Sequence, residues 1–334
     1  MKVLFDHPFP FFLAHGGAQL QIEQTKNALE VAGLGVEYVR WWDSAQEGQI
    51  IHYFGRPSAS YIEFAHQKQK KVILSELLGG LGGRGAVARA AQQAIIRGTR
   101  LILPAEFCAR MAWDAYERAD ACVALTSWEA QLMRQMFSAP PEKVHVVPNG
   151  VEPVFLESAQ TQRGDWLVCA ATITEVKRVL ELAEAAVLAR VPVWFVGRPF
   201  DEGLNYPGRF LRFARRHTSW VRYEGSVEDR AAMARVYREA RGFVLLSRWE
   251  TLSLAALEAA ACGCPLLLSD LPWAHSVFGD QAAYCPVTTP RRTATALRKF
   301  YLQAPQRPIP RRPKSWSEVA KQLVAIYELV LRNS

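Results

Sequence analysis

The sequence predicts an α/β protein of two successive units, each with a parallel sheet. Two features carry that prediction. Short β-branched runs alternate with helical patterns along the chain, the mark of parallel α/β architecture. The alternation breaks once, at "VEPVFLESAQTQRGD", and then restarts, which puts the joint near residues 152–164. The 334 residues, half of them apolar and 22% charged, are enough for two separate cores and show no disordered tract.

The first unit opens on the strand "KVLF". The pair Gly16-Gly17 turns the chain into a helix through "QLQIEQTKNALEVAG", which stops at Gly33 as helices commonly do. Further strands are expected at "VEYV", "IIHYF", "KVILS", "RLILP", "ACVALT" and "KVHVVPNG". The second unit reads "WLVCAA", a helix from Val179 to Arg190, "VPVWFVG", "VRYEG", a helix from Arg230 to Ala240, "GFVLLS", a helix after Glu250 and "CPLLLS". Proline and arginine make "QAPQRPIPRRPK" an extended connection, followed by a closing helix from Ser315 to about Arg332. Neither half repeats the other at a short period, which excludes a solenoid.

The charge balance, 40 Lys and Arg against 32 Asp and Glu, gives a formal net charge of +8 and fits an anionic partner. The excess is arginine spread along the chain, with no RRM, zinc-finger or heptad signature, so nucleic acid is not the expected partner. The cysteines Cys108, Cys122, Cys169, Cys262, Cys264 and Cys285 lie in apolar runs without C-x-x-C spacing or a nearby histidine pair. They read as buried thiols of a reducing compartment, and no metal is expected. "MKVLFDHP" starts directly as a strand, and the uncharged run from Glu258 to Ser269 is too short to span a bilayer. A cytoplasmic location is the expectation.

The chemistry concentrates in "SRWETLSLAALE", residues 247–258, where Glu250 and Glu258 flank a helix start. Glu250 falls at the carboxyl end of a strand, the edge where open α/β sheets bind ligands. The first N–H groups of the following helix have no partner inside it and attract an anion. Eight residues of helix cover about 12 Å at most. Two carboxylates bracketing such a helix start suit an elongated ligand with a hydroxyl-bearing group at each end of a diphosphate. A nucleoside diphosphate sugar has that layout.

The run "SRWETLSLAALEAAACGCPLLLSD" resembles the E-x7-E signature of the retaining nucleotide-sugar glycosyltransferases of family 4. The resemblance extends to "AHGGAQLQIEQTKNALE", "ADACVALTSWEAQLM", "VHVVPNGVEPVF" and "VRYEGSVEDRAAMARVYREARGFVLLS", nearly the whole chain. It implies the GT-B fold: two Rossmann-like domains with parallel sheets facing across a cleft that closes on its substrates. An acceptor-side domain is expected over 1–155 and a donor domain over 160–312, with the helix 315–332 crossing back onto the first.

What the resemblance implies about residues is specific. Glu250 contacts hydroxyls of the transferred sugar, and Glu258 holds the ribose. Backbone N–H groups at Ser253 and Leu254 bind the diphosphate, Gly225 to Val227 border the base, and Gly16 and Gly17 let the first-domain loop approach the phosphates. The family commonly clamps the phosphates with an arginine and a lysine five residues apart. In "ATITEVKRV" Lys177 matches the lysine, but Thr172 stands at the arginine position. Arg178, Arg198 or Arg248 is then the candidate replacement. The family's histidine after the fourth strand is also missing from "KVILSELLGGLGG"; Ser75 or Glu76 takes its place, the position is unused, or His15 beside the Gly-Gly turn serves instead.

The implied activity is transfer of a hexose from a nucleotide-diphosphate sugar to a hydroxyl of a glycan, lipid or cell-envelope precursor, with retention and without a metal or cofactor. Two alternatives stand beside it. One is a catalytically silent nucleotide-sugar binder, motivated by the missing arginine and histidine. The other is an NAD(P)-dependent oxidoreductase, because "GLGGRG" at 80–85 formally fits G-x-G-x-x-G with Glu106 about 20 residues later. That motif follows its strand too late and lies outside the first βαβ unit, and a flexible Gly-rich loop accounts for it better. Finally, Arg84, Arg89, Arg97, Arg100 and Arg110 surround the amphipathic "AVARAAQQAII", which suits peripheral contact with an anionic membrane or an ordinary solvated face.

Overall fold

The computed structural model describes residues 1–332 apart from 9–10, 12–15, 105–110, 159–160, 200–204 and 287. The chain divides into two compact units, Met1–Asn149 with Trp316–Ser334, and Gly150–Ser315.

In the first unit six strands, β1 (Lys2–Asp6), β2 (Gly35–Tyr38), β3 (Ile50–Phe54), β4 (Lys71–Ser75), β5 (Ala121–Ala124) and β6 (Val144–Val146), pair in the order β2-β1-β3-β4-β5-β6. All pairings are parallel. Helices on both faces explain why these strands read as nearly unbroken apolar runs. The helix Gly17–Val31 packs against the closing helix Trp316–Arg332. Tyr327 of that closing helix reaches the sheet: its hydroxyl lies 2.7 Å from His52 Nδ1, and His52 Nε2 lies 2.7 Å from Ser75 Oγ. Burial drives the His52 imidazole down to about 3, so the ring is neutral and structural at ordinary pH. Buried Glu129 accepts from the backbone N–H groups of Leu78 (2.8 Å) and Leu125 (2.7 Å), tying the loops after β4 and β5 together.

The second unit repeats the plan with β7 (Leu167–Ala170), β8 (Val193–Val196), β9 (Val221–Tyr223), β10 (Gly242–Leu245), β11 (Leu266–Ser269) and β12 (Ala282–Cys285), all parallel in the order β12-β11-β10-β7-β8-β9. One face is covered by the helices Val179–Ala189, Asn205–Arg216 and Pro290–Gln303, whose Leu182, Phe210 and Leu297 join Phe195 and Val244 in the core. Basic "RFLRFARRH" belongs to the second of these helices: Phe210 and Ala214 face in, while Arg212, Arg215 and Arg216 face solvent.

Two expectations need correction. "RLILP" is not a strand; Arg100–Ile102 form the last turn of the helix Ala86–Ile102. β4 pairs directly with β5, so the sheet has no slot between them, and Leu101 and Ile102 are exposed rather than sandwiched. A short apolar run does not reveal its period, and here helix propagation decided. Of "GLGGRG", residues 83–85 lie outside any helix or strand, as expected of a loop, but 80–82 belong to a short helical turn, Gly79–Gly82, set off from β4 by Glu76–Leu78, which removes the strand–turn–helix geometry a dinucleotide fold needs. The strand β12, "AAYC", escapes sequence analysis because it has no β-branched residue. Cys122, Cys169, Cys262, Cys264 and Cys285 are buried free thiols; Cys108, Glu106 and Arg110 lie outside the described residues.

Candidate active site in the second unit

The strand order of the second unit reverses at one place. From β7 the chain builds β8 and β9 to one side, then returns to lay β10 on the other. In open α/β sheets ligands bind beyond the carboxyl ends of the strands at such a switch point, here at the loops after β7 and β10.

Residues 171–178 follow β7 and residues 246–253 follow β10, and the two segments are bonded to each other. Arg248 N–H donates to the Val176 carbonyl at 2.7 Å. Lys177 Nζ donates to Glu250 Oε1, which also accepts from Ser247 Oγ at 2.7 Å. The Ser247 carbonyl in turn accepts from Ser269 Oγ of β11 at 2.6 Å. Glu250 is 8% exposed and its orientation is determined by these partners; the Lys177 side chain is 24% exposed and keeps a route to solvent. An ammonium has three donors, so Lys177 has capacity for a ligand as well as for Glu250.

The helix beyond runs from Leu254 to Ala261. Ser253 is its N-cap, with its hydroxyl accepting from Ala256 N–H at 3.2 Å, a cap contributing about 1 kcal/mol. The first intrahelical bond is Leu257 N–H to the Ser253 carbonyl at 3.1 Å. The N–H groups of Leu254 and Ala255 are thus left without a partner in the helix, as anion binding at its start requires.

Glu258 lies one turn further, 6% exposed. Its Oε1 accepts from Arg230 Nη2 and its Oε2 from the Tyr237 hydroxyl at 3.2 Å. Arg230 Nε donates to Glu152 at 2.9 Å. Burial pushes the Glu258 carboxyl upward; Arg230 opposes that shift.

The other predicted residues of this unit lie on neighbouring carboxyl-end loops. Thr172 and Arg198 are drawn together where Ile173 N–H donates to the Arg198 carbonyl at 3.0 Å, and Arg198 is exposed. Gly225, at φ +88°, accepts from Gly197 N–H at 2.9 Å, and Val227 follows it half-buried. Of the three candidate replacements for the missing arginine, Arg178 is occupied. It is 4% exposed, with its guanidinium on the Thr288 carbonyl and 3.5 Å from that of Leu246. Arg248 has a 54% exposed side chain, 3.9 Å from Glu181.

In the first unit, Gly16 (φ +148°) and Gly17 are exposed at the helix start after β1, and a Cβ on either would meet no atom of the chain within 4 Å. Among the described residues nothing demands a small residue at Gly17; the demand implied by the resemblance is a ligand's. Ser75 is committed to His52, and Glu76 to Arg56 (2.8 and 3.0 Å) and the Tyr116 hydroxyl. His15 lies outside the described residues.

Sequence reasoning missed Arg230, Ser247 and Tyr237. Arg230 sits 28 residues before Glu258 with no spacing signal, and only the packing of its helix on Leu254–Ala261 brings them together. Ser247 was open to notice, because it stands three residues before Glu250 and shares its loop.

Two family models match the chain: "Glycosyl transferases group 1" over residues 164–303 and "Glycosyltransferase Family 4" over residues 96–155. A D-inositol 3-phosphate glycosyltransferase of Jonesia denitrificans is 30% identical across 65% of this chain and 51% of its own length. A namesake from Actinosynnema mirum is 34% identical across 45% and 40%. The chain thus spans about half the length of the curated relative from Jonesia. Among solved structures, sucrose-phosphate synthase of Thermosynechococcus elongatus aligns over 100% of this chain and 99% of its own, with a TM-score of 0.71 and 16% identity. The Anabaena protein Alr3699/HepE in complex with UDP-glucose aligns over 100% and 99%, with a TM-score of 0.66 and 14% identity. At such identities these two speak to the fold.

Proposed function

We propose, because this chain belongs to glycosyltransferase family 4 and has its GT-B fold, that it moves a hexose from a nucleoside diphosphate sugar to an acceptor hydroxyl with retention of configuration. The observation that carries the reading is the switch-point arrangement: Glu250 and Lys177 in contact, a capped helix start beside them, and Glu258 one turn beyond. In this reading the diphosphate rests on the N–H groups of Leu254 and Ala255 and on Lys177. Glu250 takes hydroxyls of the sugar, and Glu258 takes those of the ribose. Gly225 and Val227 border the base.

The chemistry follows from charge. As the bond from the anomeric carbon to the β-phosphate oxygen breaks, negative charge grows on that oxygen, where Lys177 and the helix start await it. The acceptor oxygen attacks from the same face and its proton passes to the departing phosphate, so the products are a glycoside and a nucleoside diphosphate. Arg198 and Arg248, both exposed on adjoining loops, are the arginines left to supply the charge Thr172 does not. No resident cofactor or metal enters this scheme.

The test is calorimetric titration with UDP, GDP, ADP and their hexose adducts, run beside a transfer and donor-hydrolysis assay. Micromolar binding of one nucleotide sugar with turnover is the expected result. Tight binding without transfer or hydrolysis would establish the silent binder instead, and absence of binding would end the reading.

The acceptor side carries its own observation. The helix Ala86–Ile102 packs Ile96 into the core and carries a further apolar stripe that is exposed. Val87, Ile95, Leu101 and Ile102 are 84%, 64%, 86% and 82% exposed. Three of its polar residues lie on the protein side with buried Ile96: Arg100 binds Glu117 at 2.8 Å, Gln93 donates to the Gln135 carbonyl at 2.8 Å, and Arg89 lies over the Trp128 ring. A stable solvated helix shows the reverse. With no acidic residue in the helix and Arg84 and Arg97 exposed along it, the face suits an anionic bilayer surface. Among the described residues no helix is long and apolar enough to cross a membrane. The chain is expected to sediment with phosphatidylglycerol-containing vesicles and not with phosphatidylcholine alone. The double substitution Ile95→Glu, Leu101→Glu should abolish that; sedimentation indifferent to anionic lipid would refute it.

A further inference from the structure

Arg230 has a position that the family signature does not account for. It opens the helix Arg230–Glu239, and its guanidinium lies 4.7 Å from the centre of the buried Phe155 ring. One edge meets Glu258 Oε1; Nε meets Glu152 at 2.9 Å. Glu152 and Phe155 come from residues 150–156, the first stretch of the second unit. A segment far from the signature in sequence therefore steadies the cation that faces its second glutamate.

Among the described residues, the groups that act most strongly on Glu258 are Arg230, Tyr237 and Glu152, with Cys262 at the end of its own helix. Tyr237 can donate a hydrogen bond but cannot neutralise a charge, and Glu152 is of the same sign. A carboxylate this buried keeps its charge only if a cation is held against it. Arg230 is that cation. A carboxylate accepts at about four lone-pair positions, so one bond on each oxygen leaves capacity for two ribose hydroxyls.

We infer that Arg230 is a positioning residue for nucleotide binding: held by Glu152 and Phe155, it keeps Glu258 ionised and turned to receive a vicinal diol. The inference rests on the reading of Glu258 as the ribose acceptor. Its two halves, charge control and diol binding, are tested separately.

Arg230→Met keeps the stem over Phe155 and removes the charge; Arg230→Lys keeps the charge and loses the two-pronged contact. The first measurement is thermal melting without nucleotide from pH 5 to 8. With Arg230 gone, unopposed burial raises the Glu258 carboxyl further above its ordinary value of 4.5, so the folded state binds that proton more tightly than the unfolded chain does. The added cost is absent below 4.5 and grows as pH rises. The deficit of Arg230→Met relative to wild type should therefore widen toward pH 8, close again when Glu258→Gln is added, and stay small in Arg230→Lys. A deficit independent of pH overturns the charge-control half.

The second measurement is titration with whichever of UDP, GDP and ADP the wild type binds. Arg230→Met should weaken binding about tenfold at pH 6 and recover toward pH 8 as Glu258 ionises, with kcat at saturating donor little changed. Equal affinity at all pH values, or an equal loss at all of them, overturns the diol half. A wild type that binds no nucleoside diphosphate overturns that half too, together with the function it rests on, while the melting experiment still decides the charge.

Discussion

Lys177→Ala should lower hexose transfer about 100-fold or more, and Glu250→Ala by a comparable factor, with both variants still folded. The two losses have different origins. On the proposed function, Glu250 removal takes away contacts to the sugar and leaves Lys177 to meet phosphate. Lys177 removal does more than delete a cation. It uncovers Glu250, 8% exposed and held in place by Ser247, so an incoming diphosphate meets a bare carboxylate where it had met a neutral pair. The Lys177→Ala variant should therefore show the larger rise in KM, and adding Glu250→Gln to it should restore part of the donor affinity. Such non-additivity is the signature of groups that act through one another. Release of nucleoside diphosphate, followed at varied donor concentration with circular dichroism as the folding control, checks all three variants. Wild-type rates in both single variants would show that chemistry occurs elsewhere.

Gly197→Ala should be among the most damaging single-methyl changes in the second unit. Gly197 adopts φ +143°, and a Cβ there would lie 2.0 Å from the Ala171 carbonyl oxygen. That oxygen belongs to the backbone after β7, so no side-chain rotation relieves the clash. The same neighbourhood is cross-linked by Ala171 N–H to the Val196 carbonyl (2.9 Å), Gly197 N–H to the Gly225 carbonyl (2.9 Å) and the Tyr223 hydroxyl to the Gly197 carbonyl (3.0 Å). Forcing β7 and β8 apart disturbs these bonds together, for a loss on the order of 3 kcal/mol or more. Because the displaced loops carry Thr172, Arg198 and Gly225, donor affinity should fall with stability. Denaturant melts read the first effect and titration the second. A variant as stable as the parent would contradict the close approach of these strands.

Several parts of this protein are legible in its residues alone. Parallel strands buried on both faces announce themselves as apolar β-branched runs, so "IIHYF", "KVILS", "VPVWFVG" and "GFVLLS" were identified by composition. The helix start after Glu250 is legible because a helix start and its first turns are local, and eight residues of spacing translate directly into distance. "RLILP" failed for the complementary reason: five residues do not reveal whether the chain is following a period of two or of 3.6, and only the pairing of β4 with β5 shows that no strand belongs there.

What the sequence determined by itself was the set of local elements and the chemical types at their ends: the β10 loop with its glutamate, the capped helix after it, the lysine after β7. Tertiary structure alone decided which of these groups touch. Lys177 and Glu250 stand 73 residues apart in the chain, Arg230 and Glu258 28 apart, His52 and Tyr327 275 apart. It likewise decided that Arg178 is spent on backbone carbonyls while Arg248 stays exposed, although the two look alike as letters. The reason is range. Capping, periodicity and turn chemistry act over about one helical turn and are written residue by residue. Burial, charge pairing and a strand-order reversal depend on which surfaces meet after folding, and no short window of sequence contains that information.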